Sequence, residues 1–406
     1  MQYDVLIIGG GLVGASVAIA LKDSGLSILV VEANVSATLQ SDDFDARSIA
    51  LSHASKTILD GLGVWANLKK SVTPIEAIHV SKQSQYGRTL LKVQEHNIEA
   101  FGFVAEMAHL NQAFQPMLEA QGNVEYWHNA RLKTLNCQEG KSAVACIEKG
   151  DECITVFASL IVAADGTHSS VRSILNMTND TKVYQQSAVV ANIGLRRSHK
   201  QCAYERFTAT GLIALLPMRQ QRSALVWAMG NEEAKRVSSL SDSEFLDELQ
   251  NAFGYRLGRF IQVGRRGQFP LVLTHMPKRT ACQVAFMGNA SQTLHPVAGQ
   301  GFNLGLRDAA ILAEFIHQEK TLLNPASLLA RYDALRQADR DKIMKSTDYL
   351  VDFFGLNGCV FSTLQSAGLL LADSLPVLNQ PLVQQAMGYS AQNSKLSCGI
   401  PLRETL

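Results

Sequence analysis

The sequence predicts an α/β fold interrupted by a mostly antiparallel sheet. Three observations predict it. An apolar strand, a glycine turn and a helix open the chain, and apolar strand runs end in glycine turns again at 160–166 and 282–290. Between them, 182–273 reads as one strand-like run after another. At 406 residues the chain is too long for one simple core. Segments 1–72, 101–180 and 277–340 are expected to build the α/β domain, 73–100 and 181–276 the inserted sheet, and 341–406 a C-terminal helical region.

The elements follow in order. "YDVLIIGGG" is an apolar strand ending in glycine, and "LVGASVAIALKDSG" has helical spacing that stops at Gly25. "LSILVVEA" is a second strand, so the opening is a βαβ unit with a right-handed crossover. "FDARSIALSHASKTILDGLGVWANL" reads as a loop into a helix ending near Gly61 to Gly63. "TPIEAIHVSKQSQYGR" is a strand and turn. "MAHLNQAFQPMLEA" is helical despite Pro116, which lacks an N–H. Strands with polar turns then lead to "LIVAADG". "SAVVANIGL", "GLIALLPM", "SALVWAMG" and "RFIQVGRRGQFPLVL" are the inserted strands. "SDSEFLDELQNAFG" is a helix among them, capped by Ser241 or Asp242. "CQVAFMGNA" leads into "MGNASQTLHPVAGQGFNLGLRD" and a long helix beginning near Asn303.

Composition bounds the function. Apolar residues are 47%, charged residues 18% and the net charge +1, so nothing points to nucleic acid or an acidic partner. The seven cysteines are an odd number with no C-x-x-C pair, which argues against a disulfide framework or zinc and for a reducing cytoplasm. The first strand begins at Tyr3, so no signal peptide is expected. Gly355 to Ala372 is apolar, but Asn357, Ser362, Gln365 and Ser366 make it a poor membrane span.

Gly9, Gly11 and Gly14 form G-x-G-x-x-G between strand and helix. The first allows a tight turn, the second lets a pyrophosphate approach the backbone, and the third lets helix and strand pack closely. Glu32 ends the next strand, 18 residues after Gly14, placed to accept from ribose hydroxyls. An acid there repels a 2′-phosphate, so the nucleotide is FAD or NAD. Strand-end loops add Arg47, Asp165, Gly166 and Arg172. Taken alone, Asp165-Gly166 reads as a solvated turn, and Arg47 equally as a surface partner of Asp43 or Asp45.

These residues resemble a family over nearly the whole chain. "HPVAGQGFNLGLRD" (His295 to Asp308), "AADGTHSSVR" and "FDARSIAL" resemble the motifs of class A flavoprotein aromatic hydroxylases, in the branch that builds ubiquinone. The resemblance implies the p-hydroxybenzoate hydroxylase-like FAD fold. It assigns Arg47 to the flavin and pyrophosphate, Asp165 and Gly166 to FAD and nicotinamide contacts, and Gln112 to the flavin. Most of that family has Gly-Asp where this chain has Gly288-Asn289; Asn289 keeps an acceptor for the ribityl chain but loses the charge. The methoxyphenol hydroxylases tend to Gly-Asn, and "ERFTATGLIALLPM" resembles them too.

The resemblance further implies FAD, NAD(P)H as a transient co-substrate, O2 and a polyprenylated phenol, with oxygen transferred through a flavin C4a-hydroperoxide. Backbone N–H groups of Gly299, Gln300, Gly301, Phe302 and Asn303, at a helix start, are expected to stabilise charge on the reduced ring. Pro296 is expected to present its carbonyl to the substrate hydroxyl; His295 is either a catalytic base or a structural histidine. Tyr204 and His53 are further acid/base candidates. No metal and no Ser-His-Asp triad are expected. The apolar substrate suggests that Leu350 to Leu378 docks on the inner membrane or on a ubiquinone-synthesis assembly, against the alternative of ordinary helical packing. Rival readings are a sibling hydroxylase of another ring position, an NAD-dependent dehydrogenase, and a non-catalytic flavin-binding scaffold.

Overall fold

A computed structural model describes residues 1–34, 44–84, 87–138, 140–293, 300–319, 325–355, 384, 387–389 and 393–402. Its first sheet runs Thr280–Ala281, Val284–Phe286, Glu152–Ala163, Gln2–Ile8, Ile28–Glu32, Val124–His128. The last five pair in parallel, with Val5 beside Leu160 and Ile28. Both faces of the sheet's centre are buried, so Val5 to Ile8, Ile28 to Val31 and Leu160 to Ala163 are apolar at consecutive rather than alternate positions. Val5, Ile7, Ile28, Val30 and Val162 enter one core, under the helices Leu12–Ala20 and Gln300–Gln318. Leu6, Ile8, Leu29, Val31 and Ile161 enter the other, under the hairpin Ala130–Asn136 and Ala143–Lys149. Each such side chain contributes about 1.5–3 kcal/mol relative to exposure.

The second sheet runs Gln292–Thr293, Gly267–His275, Asp180–Leu195, Arg222–Gly230, Gly211–Met218, Cys202–Phe207, Ala77–Lys82, Arg88–Lys92. Only Cys202–Phe207 and Ala77–Lys82 pair in parallel along this path. Helices Asn231–Ser238 and Asp242–Phe253 cover one face, through Ile193, Leu215, Trp227 and Phe245. The cap is Ser241, whose side chain and that of Glu244 close a reciprocal capping box. The other face meets the α/β domain.

Between the two lies a three-stranded sheet, Ser48–Ser52, Gly102–Glu106 and Val72–Ile75. "SIALS" is therefore a strand where the sequence suggested a loop; its single edge pairing with Gly102–Glu106 supplies what local spacing did not. Pro116 sits inside the helix Met107–Glu119 without ending it. Cys146 and Cys153 form a disulfide across the hairpin of adjacent strands, with Cα atoms 5.9 Å apart. This departs from the expectation drawn from cysteine count, because strand pairing, not sequence spacing, brings the two together. No helix among the described residues is long and apolar enough to cross a membrane. The expected docking segment 350–378 falls outside the described residues beyond Gly355.

Candidate flavin-binding site

The first loop is built by exclusion of side chains. Gly9 has φ +99°, and a Cβ there would lie 2.4 Å from the Ala164 carbonyl oxygen. A Cβ on Gly14 would lie 2.0 Å from Gly9 O, so only glycine lets the helix close on the turn. Gly11 differs: a Cβ there meets nothing within 4 Å. The space above Gly11 is an open cradle at the start of Leu12–Ala20, whose N-terminus has no side-chain cap and no acid in its first turn. Free N–H groups at the positive helix end are what an anionic pyrophosphate requires.

Glu32 is locked beside this loop. Its Oε2 accepts from Gly10 N at 2.8 Å and its Oε1 from Asn34 N at 2.9 Å. Tyr126, which the sequence reading passed over, donates from its hydroxyl to Gly10 O at 2.9 Å. Burial first, and then the Glu32 charge, push the Tyr126 pKa up, keeping the hydroxyl a donor. A Cβ on Gly10 would fall 1.7 Å from the Tyr126 oxygen, so a side chain there would have to displace the tyrosine.

Two further loops converge on the first. Asp165 Oδ2 accepts from Ser170 N at 2.7 Å and Val171 N at 3.2 Å, fixing the start of Ser170–Ile174. Its Oδ1 is buried without a hydrogen-bond partner, and a Cβ on Gly9 would lie 2.8 Å from Asp165 Cα. A buried orphan acceptor beside an open cradle of donors fits a hydroxylated phosphate ligand. Gly166 has φ +79° and open space around it. Arg172 bridges the loops, donating to Thr167 O at 2.6 Å and to Ala290 O at 2.8 Å.

The third loop packs directly on the first. A Cβ on Gly305 would lie 2.7 Å from Val13 Cγ2 and 3.2 Å from Gly288 Cα. Val13 is thus clasped between Gly288 and Gly305, and the two glycine-rich stretches of the sequence touch. Asn289 is exposed, with its Oδ1 3.8 Å from where a Gly301 Cβ would stand. Asp308 supports this turn from below, accepting from Gly288 N at 3.2 Å.

Other predicted residues have different surroundings. The helix begins at Gln300, three residues before the expected Asn303. Phe302 packs against the main core. The Asn303 amide is consumed by protein: it accepts from Ser52 N at 2.9 Å and Ser55 Oγ at 2.7 Å and donates to Ala50 O at 2.9 Å. Arg47 is exposed; its carbonyl accepts from Met107 N at 2.8 Å, while Asp45 pairs with Arg265 at 3.0 Å. Gln112 is exposed on the helix Met107–Glu119. His53 Nδ1 is 3.0 Å from Ala100 O. Strand alternation turns Tyr204 to the helix-covered face, edge-on to Phe253 at 5.6 Å. His295, Pro296 and Gly299 lie outside the described residues. Among the described residues no cluster of His, Cys, Asp or Glu could hold a metal ion.

A parallel sheet whose strand-end loops form an open cradle, joined to a large antiparallel sheet, defines a dinucleotide-binding α/β protein with an inserted sheet. Residues 2–347 match the model of the FAD binding domain family. The chain is 33% identical over 408 residues to "Ubiquinone hydroxylase UbiL" of Rhodospirillum rubrum, covering 98% of this chain and 93% of that protein. It is 27% identical to the "3-demethoxyubiquinol 3-hydroxylase" of Escherichia coli, covering 95% and 98%. Its fold superposes on p-nitrophenol 4-monooxygenase PnpA from Pseudomonas putida with a TM-score of 0.78 at 15% identity, covering 96% of this chain and 100% of that one. The chain belongs to the FAD binding domain family and, within it, to the ubiquinone hydroxylases.

Proposed function

We propose that this chain hydroxylates a polyprenylated methoxyphenol, 2-octaprenyl-6-methoxyphenol, to the corresponding 1,4-benzoquinol, using NAD(P)H and O2. The observation that carries the reading is Asn289, exposed beside Gly301 where the two glycine loops meet. The Gly288-Asn289 pair and the segment Glu205 to Met218 both favour the methoxyphenol branch.

FAD when bound would accept hydride from the nicotinamide and activate oxygen. The remaining work falls to the chain. Gly9, Gly11 and Gly14 would admit the pyrophosphate to the helix end, with Arg47 nearby. Glu32 would take the ribose hydroxyls with the lone pairs left by Gly10 and Asn34. Asp165 Oδ1, Gly166 and Asn289 would hold the ribityl side, and Gln112 the ring. Backbone N–H groups from Gly299 to Asn303 would stabilise negative charge at the ring edge. Pro296 would accept from the substrate hydroxyl, and His295 would hold or relay its proton. Hydroxylation in His295→Asn at wild-type rate and flavin content would remove His295 from this scheme.

Lipid-quinone profiling of a deletion strain tests the substrate. Accumulated polyprenyl-methoxyphenol supports the proposal. Accumulation of a demethoxy-quinone precursor would establish instead the sibling reading, favoured by the name of the Escherichia coli relative. Substrate-dependent nicotinamide oxidation separates both from a flavin-binding scaffold. Delivery of so apolar a substrate leads us to place the enzyme peripherally at the inner membrane, in a ubiquinone-synthesis assembly. Recovery of all the protein in the soluble fraction of intact extracts at moderate salt would refute that placement.

A further inference from the structure

The second sheet offers a row of side chains to the α/β domain, and its register identifies them. Val80, Glu205, Ala214, Val226 and Val190 are successive partners across five strands. The neighbouring row shows where this face looks. Ile78, Ala203, Leu216 and Ala224 cluster with Phe101 and Val104 of the α/β side. Asn192, opposite Ala224, donates to Phe44 O at 2.7 Å and Ala46 O at 2.9 Å, next to Arg47. Tyr204 and Glu205 are adjacent on one strand, so one points away from the domain junction and the other toward it.

Glu205 is the only ionisable residue in its row. The others are small and apolar, and Val80, Glu205, Val226 and Val190 are each half-buried. The Glu205 carboxyl makes no hydrogen bond or ion pair among the described residues. Arg222, on the same face, is engaged with Glu106 at 2.7 Å, and Lys82 lies one row further out. Burial without a compensating cation raises the Glu205 pKa. A carboxyl so placed keeps its proton to higher pH than usual, and in either form it can accept a hydrogen bond. A carboxyl at the accessible surface of an apolar wall offers a ligand the one ionisable contact in that row.

We infer that Glu205 is the polar contact that holds the phenolic oxygen of the substrate, with the aromatic ring lying against Val80, Ala214 and Val226. This rests on the proposed function and adds a residue to it. The phenolic hydroxyl donates to a carboxyl oxygen of Glu205, a contact that methylation of the hydroxyl removes. A hydrogen bond at this point fixes the rotation of the ring in its plane. It therefore contributes to the choice of ring position as well as to affinity.

The test uses the flavin-loaded full chain, a short-chain prenylated methoxyphenol, and the same compound O-methylated at the hydroxyl. Binding is read from perturbation of the flavin spectrum, and KM and kcat from hydroxylation. Wild type should prefer the phenol about tenfold, the scale of one buried hydrogen bond. Glu205→Leu should lose that preference and raise KM while retaining flavin. Glu205→Gln should keep most of it. Wild-type preference in Glu205→Leu overturns the inference; if that variant does not fold, equal binding of phenol and ether by wild type overturns it as well. If wild type hydroxylates only a precursor of another ring position, the proposed function falls, and the same comparison on that precursor and its ether decides Glu205 separately.

Discussion

Gly11 and Gly14 are the same residue three positions apart, yet they answer to different neighbours. Gly11 has an ordinary φ of −63° and empty space where a Cβ would go. Gly14 is pressed on Gly9 O. Gly11→Ala should therefore leave the melting temperature of the flavin-free protein nearly unchanged while weakening FAD at least about tenfold. Gly14→Ala should destabilise the flavin-free protein itself by about 1–3 kcal/mol. Thermal melts of stripped protein and FAD titration separate the two; equal effects in both assays would break the distinction. The glycine spacing alone already suggested two different jobs for them. Tyr126 was not readable, because an aromatic residue in a strand ordinarily signals packing, and only pairing of its strand with Ile28–Glu32 brings the hydroxyl to Gly10. His79 is a second residue visible only in three dimensions. Burial, and then facing Arg256, lowers its pKa from 6.5 to about 4. The unfolded chain binds the proton near 6.5, the folded chain only near 4, so the stability is complete above the first value and lost as pH falls through the second. Wild type should lose about 2–3 kcal/mol over that window that His79→Asn does not, measured as urea midpoints against pH.

At the scale of elements, the helix Gln300–Gln318 joins parts that the sequence keeps far apart. Gly305 seats it on Val13, Asn303 ties it to the strand Ser48–Ser52, and Asp308 holds Gly288. Its outer side meets the helix Ala326–Gly355 through buried ions. Asp308 Oδ1 accepts from Arg336 Nε at 2.5 Å, and Asp339 lies 3.1 Å from Arg307 and 2.6 Å from Arg336. Burial lowers the Arg307 pKa to about 10, still charged at neutral pH. Asp308→Ala would leave Arg336 and Arg279 facing each other without their shared anion, since Arg279 lies 3.6 Å from the same carboxylate. The expected loss is about 3–5 kcal/mol, with flavin retention reduced because Gly288 N loses its acceptor. Calorimetry with flavin quantification checks this; a stable variant that holds flavin normally would show the network to be dispensable. The glycine spacing of this stretch was legible because it repeats a known solution to backbone approach. Its acid was not, because an Asp after an Arg at a helix surface reads as solvated until the second helix covers it.

At the scale of the whole molecule, two sheets of different build must meet without blurring the site between them. Parallel strands and the antiparallel insertion were legible from apolar runs and alternation, since each pattern is local. Their junction was not, because it is made by polar residues from distant segments. Arg222 and Glu106 are both buried and paired at 2.7 Å, one from the second sheet and one at the end of the strand Gly102–Glu106. Arg222 also donates to Phe44 O at 3.4 Å, where Asn192 donates too. The pair thus sets the distance between the substrate-facing row at Glu205 and the segment that carries Arg47. Glu106 Oε2 is buried without a hydrogen-bond partner, so removing Arg222 strands a carboxylate with little else to hold it. Arg222→Met should cost about 3–5 kcal/mol, and Glu106→Gln added to it should recover a large part, because the penalty is the unpaired charge rather than the lost contact. The junction would nevertheless remain loosened, since neither replacement restores the charged clamp on the Phe44 segment. The double variant should therefore regain stability while its hydroxylation stays poorly coupled, with nicotinamide oxidised in excess of product formed. Chemical denaturation together with the ratio of product to nicotinamide consumed reads both effects. Full coupling in the double variant would mean that packing alone sets the junction and that the ion pair only avoids its own burial cost.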